Sequence, residues 1–201
     1  MFNIKKAFFL LLLLLKKLGY NRDCKIKNKE LEMAQPAYIK IEGSTQGLIT
    51  SGATTEASIG NRYQEGHEDE IMAQEIEHNV KVPTDPQSGQ PSGQRVHTPF
   101  IFTCSLNKAV PLLYNALTTG EKLPKVEVHW FRTSTSGGPE HYFTTILEDA
   151  IITNISLVMP NAQDQSNNDK TELFKVSLNY RKITWEHTAG GTSGSDDWRK
   201  A

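Results

Sequence analysis

The chain has 201 residues, 37% of them hydrophobic, which suits one domain with a sizeable core. Its net charge of −1 averages two unlike parts, because residues 1–32 carry eight basic and three acidic side chains whereas residues 33–201 carry 14 basic and 20 acidic ones. An acidic body is a poor match for a phosphate backbone, which argues against nucleic acid as a partner. The two cysteines, Cys24 and Cys104, cannot build a disulfide framework.

The leading segment, residues 1–32, contains an apolar run of nine residues between pairs of lysines. This run fits the hydrophobic part of a signal peptide and is far shorter than the roughly 20 residues that span a bilayer, so we expect no stable membrane insertion. Basic residues follow this apolar run, and no small-x-small cleavage site lies close to it. The segment is therefore only weakly similar to a signal peptide. Because strand-like sequence starts at Met33, we expect residues 1–32 to be an N-terminal extension from an upstream mis-start. Residues 33–201 would then be the folded domain.

The first part of the body alternates between apolar and polar residues. This alternation over residues 37–42 predicts a strand that ends at Gly43. Residues 44–70 are rich in Gly, Ser, Thr and acidic side chains and predict turns. The segment Ile71–Val82 predicts one continuous strand, which Pro83 ends.

A long connection follows, with three prolines and two glycines, and its backbone cannot continue a ladder. Loops of this length in compact domains are usually functional or disordered. We therefore expect a projecting loop on a rigid hairpin base, with an adhesive rather than a catalytic composition. Its residues are Pro83, Thr84, Asp85, Pro86, Gln87, Ser88, Gly89, Gln90, Pro91, Ser92, Gly93 and Gln94.

A strand then gives way to a helix. The even-numbered positions over Val96–Leu106 are nearly all apolar and predict a half-buried strand. Beyond it, Asn107 suits an N-cap, Pro111 a first helical turn and Gly120 a C-terminal cap. A helix of about three turns is marginal alone in water, so it should dock its apolar stripe onto a sheet. The stripe consists of Val110, Leu113, Tyr114 and Leu117.

The remaining chain predicts further strands, at about residues 125–130, 141–147, 150–158 and 174–185. The apolar parity reverses after Tyr180, which requires a bulge near Arg181 or Lys182. With about seven or eight strands and one convincing helix, the predicted architecture is a mainly β, antiparallel barrel or sandwich. The tail, residues 188–201, is predicted to be flexible except for Trp198, which should pack on its own domain or on a neighbour.

Candidate chemistry is sparse. The cluster GHEDE at Gly66–Glu70 lacks the paired histidines of a zinc-protease helix and predicts a solvated acidic turn. The other histidines repeat no ligand spacing, so we interpret them as structural. Cys104 lies on an apolar strand face without a local catalytic signature. These patterns offer no candidate site for an enzyme, a cofactor or a metal.

Five separated motifs point to a family when they are taken together. They are EGHEDE at 65–70, VPTDPQSGQPSGQRVH at 82–97, LNKAVPLLYNALTTGEKL at 106–123, YRKITWEH at 180–187 and GTSGSDDWR at 191–199. In this order they resemble the Hcp family, the haemolysin-coregulated tube proteins of type VI secretion. The resemblance extends from about Met33 to the C terminus.

That resemblance implies a two-sheet β-barrel with one short helix and an extended loop, residues 83–94, that reaches the neighbouring ring. It implies homohexameric rings that stack into the inner tube, which a contractile sheath propels with a spike protein at its tip. It also implies effectors carried in the lumen, a bacterial cytoplasmic stage before firing, and then secretion or delivery into target cells. The residues alone leave open a second class, a soluble β-sandwich binding or adhesin module, which would be monomeric or dimeric.

Overall fold

Residues 35–167 and 171–200 are described by a computed structural model, and nearly half of them are in antiparallel strands. The expectations for residues 1–32 lie outside this described part. The strands are β1 Ala37–Gly43, β2 Gly47–Leu48, β3 Ile71–Ala73, β4 Glu75–Glu77, β5 Val80–Lys81, β6 Val96–His97, β7 Phe100–Cys104, β8 Lys122–Thr133, β9 Pro139–Val158, β10 Leu173–Asn179, β11 Lys182–His187 and β12 Thr192–Asp197. The helices are α1 Glu56–Ile59 and α2 Val110–Thr119, with 3-10 turns at Gly60–Arg62 and Gln165–Asn167.

The main sheet contains ten of these strands and closes on itself. Its path runs β2-β1-β8-β9-β10-β7-β4, every pairing is antiparallel, and β3 pairs with β1. Because β3 and β4 are consecutive, residues 71–77 pair with both β1 and β7, and the Gln74 amide donates to the Thr103 carbonyl between them. The mainly β, antiparallel fold class is confirmed.

The core fills the inside of this closed sheet with the alternating apolar positions of its strands. Side chains on β1, β7, β8, β10 and α2 are fully or almost fully buried there, which places one face of each strand inward. The members that lie on these five elements include Ile39, Ile41, Phe100, Phe102, Cys104, Val126, Val128, Val176, Leu178 and Leu113.

Helix α2 docks as expected, with one change at its start. It buries Val110 and Leu113 against the sheet, whereas Tyr114 stays 39% exposed. Asn107 is not the N-cap, because Ala109, two residues later, holds that position and the helix begins at Val110; the Asn107 side chain accepts the Ala109 amide in a preceding turn. Gly120 adopts the left-handed conformation, φ 64°, that lets its amide close the last turn.

Two strand predictions were wrong around the long loop. The segment Ile71–Val82 is three short strands, because its backbone leaves β1 after Ala73 to pair with β7 and then leaves β7 after Glu77. The predicted strand over 96–106 is interrupted at residues 98–99, so its parity changes: His97 is buried and Val96 is 40% exposed.

The two strands predicted over 141–158 are one, the 20-residue strand β9. It bends at Asp149, which has a positive φ of 50°. On the facing side, β10 ends at Asn179 and β11 begins at Lys182, so the extra residue that the sequence required is absorbed at this corner. The single strand with a bulge predicted near Arg181 or Lys182 is instead two strands joined by a corner, and the register shift on β10 lies between Ser177 and Leu178.

The tail is more ordered than predicted. Residues Thr192–Asp197 form β12 and pair with β11 along its whole length. Trp198 packs on its own domain, with its ring 5.1 Å from that of His97, although it remains 49% exposed. Small polar residues can build a strand here because cross-strand pairing with β11 overrides their low strand propensity.

Replacing Leu113 by Ala tests whether helix docking stabilises the barrel. The side chain is fully buried, so its loss should lower the free energy of unfolding by about 2–5 kcal/mol. Urea unfolding at one fixed protein concentration measures this. The exposed Asn115→Ala change on the same helix should shift it by less than about 0.5 kcal/mol. Equal effects of the two changes would contradict the assigned docking face.

Candidate assembly surfaces

The predicted loop, residues 83–94, is the tip of a hairpin that we call the arm, residues 80–97. Its base is the two-residue ladder of β5 and β6, and an isolated bridge joins Thr84 to Pro91. The Ser92 amide donates to the Pro83 carbonyl, which extends the pairing towards the tip. Most loop residues are exposed, so their side chains are available to a partner.

The tip of the loop is organised around Asp85. Its carboxylate accepts the Gln87 amide at 3.0 Å and the Ser88 hydroxyl at 2.8 Å, and its backbone pairs with Gln90 and Gly89. These bonds, first the Gln87 amide and then the Ser88 hydroxyl, lower the pKa of the Asp85 carboxyl. The loop is thus a folded turn despite its proline and glycine content.

The base of the arm is not held by the main sheet. Among the described residues, β5 and β6 pair only with each other. The attachment is instead a set of polar contacts that we call the Tyr180 clasp: Tyr180, His78, His97 and Asp196. The Tyr180 hydroxyl lies 2.6 Å from His78 Nε2 and 2.7 Å from His97 Nδ1, and His97 Nε2 lies 2.7 Å from Asp196. The expected rigid hairpin base is therefore a side-chain clasp and not a pair of strong strands.

Arg95 reinforces the clasp from the arm side. Its Nε donates to Asp196 at 2.5 Å and its terminal nitrogen donates to the carbonyls of Asp197 and Lys200. The ion pair with Arg95, joined by the hydrogen bond from His97, lowers the Asp196 pKa. The arm is thereby tied to β12 and the residues after it.

Two groups of exposed apolar side chains lie outside the core. One surrounds the base of the arm, where Val80, Val82 and Val96 are 40–49% exposed. The other is at the end of β9, where Leu157, Val158 and Met159 are 49–73% exposed. Clustered exposed apolar residues are typical of protein–protein contact surfaces.

The sheet also offers a free edge. Among the described residues, β12 pairs with β11 alone, so its outer backbone amides and carbonyls have no strand partner. Such an edge can pair with another chain. The small side chains of Thr192–Asp197 allow close approach of a neighbouring backbone.

The GHEDE cluster is a turn, as predicted, but it is only partly solvated, because two of its side chains pack on the barrel. The ring of His67 stacks on Tyr38 with centroids 3.7 Å apart, and the Glu70 side chain is 15% exposed. The Glu70 carboxylate contacts His67 Nδ1 and His129 Nδ1, both at 2.7 Å. Burial alone would raise the Glu70 pKa, but the hydrogen bonds from His129 and His67 outweigh it and lower the pKa.

Other candidate chemistry is limited within the described residues. No group of three or more His, Cys, Asp or Glu side chains there is arranged to hold a metal ion. Cys104 is buried, and burial raises the pKa of its thiol to about 12, so the thiolate is suppressed. No helix in the described ranges has the length and apolar character to cross a membrane.

The clasp residues were missed by sequence reasoning. Tyr180 lies about a hundred positions from His78 along the chain, so no local spacing links them. A weak signal was present, because the break at residues 98–99 follows from Thr98-Pro99 and would have turned His97 inward. The prediction that the histidines are satisfied structural residues agrees with the contacts of His78 and His97.

Comparison with known proteins decides the family. A family model described as "Type VI secretion system effector, Hcp" matches residues 38–187. The "Major exported protein" of Pseudomonas aeruginosa strain PAO1 is 60% identical over 167 residues, which cover 83% of this chain and 97% of that protein. The chain belongs to the Hcp family of type VI secretion. This confirms the family that the five sequence motifs indicated.

Solved Hcp structures match the fold as well. One described as "Crystal structure of Hcp protein" is 79% identical, with a TM-score of 0.79, and the match covers 84% of this chain and all of that one. The secreted protein Hcp3 from Pseudomonas aeruginosa is 51% identical, with a TM-score of 0.71, over 83% of this chain and all of that one.

Replacing Glu70 by Gln tests the buried carboxylate. At pH 7 the loss of its two charge-assisted bonds should lower the free energy of unfolding by about 1–3 kcal/mol. Because the folded pKa is lowered, the native contribution is complete above the ordinary carboxyl value of 4.5 and is lost as pH falls through the folded value. The variant should lack this part of the acid destabilisation.

Denaturant unfolding between pH 7 and pH 3 measures both effects. The exposed Glu65→Gln change in the same segment is the matched control and should leave the pH profile unchanged. A wild-type profile in the Glu70→Gln variant would contradict the assignment.

Proposed function

We propose that this chain is the structural subunit of the type VI inner tube, which forms hexameric rings that stack, are expelled and carry effectors. The observation that carries the proposal is the Hcp family match over residues 38–187, together with 60% identity to an exported protein. The partners would be further copies of the chain, the spike and sheath proteins of the system, and secreted effectors. The chain would reside in the bacterial cytoplasm before firing and reach the medium or a target cell afterwards.

The described surfaces support self-assembly into a ring. A closed ring needs two different patches on each subunit that fit each other head to tail. Two exposed apolar groups at separate places, the valines around the arm and residues 157–159 at the end of β9, provide distinct patches. The open edge of β12 adds backbone groups that a neighbour can pair with.

The arm supports contacts between rings. Residues 83–94 form a structured and largely exposed tip that the barrel does not cover. A preorganised tip loses little conformational entropy when it binds, which favours repeated association along a tube. We therefore assign ring stacking to this loop.

Measurement of the molar mass tests the ring. Size-exclusion chromatography with light scattering on the purified chain should give six times the 22.5 kDa subunit mass. Negative-stain electron microscopy should show rings with a central channel. A monomer or dimer at high protein concentration would contradict the proposal and favour a binding or adhesin module.

Shortening the arm separates stacking from ring formation. Residues 85–90 are replaced by two glycines, which keeps the Thr84–Pro91 bridge and closes it with a turn that suits a hairpin. Hexamers should persist, because the base of the arm is unchanged, whereas tube length and secretion should fall. Electron microscopy of tubes and immunoblotting of culture medium measure these outcomes.

The control replaces the Ser134–Gly138 turn between β8 and β9, which is also exposed at its tip, by two glycines. It should leave tubes at their normal length. Unaltered tubes in the arm variant would count against the stacking role of residues 83–94.

A further inference from the structure

The arm depends on the clasp because little else joins it to the barrel. Its ladder is two residues long and separate from the main sheet. Outside the clasp, Arg95 donates to the carbonyls of Asp197 and Lys200. The amide of Asn79 is bonded to the Thr98 hydroxyl and the Thr98 amide to the Asn79 carbonyl, and these bonds only close the neck of the arm on itself. The position of the arm relative to β12 is therefore set by the bonds at Tyr180 and Asp196 together with those of Arg95.

The directions of the hydrogen bonds in the clasp limit how many protons it can hold. Asp196 accepts from His97 Nε2–H. When His97 is neutral, its Nδ1 accepts the Tyr180 hydroxyl proton, and His78 Nε2–H donates to the Tyr180 oxygen. When His97 is an imidazolium, its Nδ1–H donates to Tyr180, and the Tyr180 proton must pass to an unprotonated His78 Nε2.

One imidazolium fits this network and two do not. With both rings protonated, His78 Nε2 and His97 Nδ1 are both donors to one phenol oxygen, and the Tyr180 proton has lost both of its acceptors. The two cations would then have ring centroids 6.0 Å apart, and Tyr180 is only 8% exposed. Like charges at this distance in a poorly solvated site repel strongly.

We propose that the Tyr180 clasp is a pH-sensitive latch that holds the arm against β12 at neutral pH and releases it when both His78 and His97 are protonated. The latch is a property of the fold. Its consequence for ring stacking, a weaker hold between rings under acidic conditions, rests on the proposed function.

The groups around the clasp determine whether acid stabilises or destabilises the latched state. Among the described residues, the titratable groups that face His78 are His97 and Tyr180. His97 also faces Asp196, which forms an ion pair with Arg95. Burial, and then the charge of His97, lower the pKa of His78. The unfolded or released segment therefore binds a proton more readily, and stability of the latched state is lost as pH falls below the ordinary histidine value of 6.5.

The Glu70 cluster provides an internal contrast. There, an acceptor-only carboxylate lies between His67 Nδ1 and His129 Nδ1, so each ring can donate whether it is neutral or protonated. Protonation of these rings keeps every bond. Acidification to pH 5.5 should therefore open the clasp and leave the Glu70 cluster intact.

Hydrogen–deuterium exchange on the full chain tests the latch. Once released, the arm is an isolated hairpin with a two-residue ladder, which is marginal in water, so its amide bonds fray. Protection of the amides in residues 79–98, corrected for the intrinsic pH dependence of exchange, should therefore fall by about tenfold between pH 7.5 and pH 5.5. Protection of β8 and β9 should not change, and size-exclusion chromatography at each pH records the oligomeric state.

His78→Gln keeps a hydrogen-bonding side chain that does not titrate, so it should remove the tenfold fall. Tyr180→Phe deletes the central hydroxyl and should give low protection of the arm at both pH values. The matched control His129→Gln, in the Glu70 cluster, should retain the wild-type response of residues 79–98.

Equal protection of the wild-type arm at the two pH values would overturn the latch, as would a full tenfold fall in His78→Gln. A loss of protection spread over β8 and β9 would also overturn it, because that result reports global unfolding. If the latch holds and molar mass shows no ring, the proposed function fails independently.

Discussion

The structure depends on the bend in β9 at Asp149. Residues 139–151 of this strand pair with β8 along nearly the whole length of β8, while the other edge of β9 pairs first with β11 and then with β10. The change of partner requires a corner, and a positive φ of 50° at Asp149 provides it. Arg181 closes the corner with hydrogen bonds of 2.6 Å to Asp149 and 2.7 Å to Asp197. Tyr180 lies at this corner, between the end of β10 and the start of β11, so the bend also places the hydroxyl that holds the arm.

The barrel elements could be predicted from the sequence because each of them is governed by local periodicity. Alternation located β1 and identified the inward faces of β7 and β10, although not their bounds, and the change to a 3.6-residue period located helix α2. The reversal of parity after Tyr180 even located the corner. Boundaries that depend on distant partners could not be predicted: residues 71–82 look like one strand, and their division follows from pairing first with β1 and then with β7.

The polar clusters escaped prediction for a related physical reason. Glu70, just before β3, contacts His129 on β8, and His78 contacts Tyr180 about a hundred residues later in the chain. Residues so far apart leave no characteristic spacing in the sequence. Motif reasoning tests for ligand and catalytic spacings, and contacts of this kind have no such spacing. What composition could not show is that an acidic turn becomes a buried ion cluster once His67 stacks on Tyr38. The five family motifs predicted more of the fold than the local patterns did, because resemblance to a family implies the topology of that family.

The barrel and the arm are stabilised by different forces, and this difference explains how one chain combines a rigid body with an adjustable contact. The barrel rests on a continuous buried core, whose loss would cost many kcal/mol and which is insensitive to pH. The arm rests on a few hydrogen bonds, each contributing about 0.5–1.5 kcal/mol, or about 1.5–3 kcal/mol when a charged group takes part. The attachment of the arm can therefore change without unfolding the barrel, since it breaks a few polar contacts at the edge of the core, where Tyr180 lies. Histidine is the side chain suited to such a contact, because its protonation exchanges an acceptor for a donor near neutral pH.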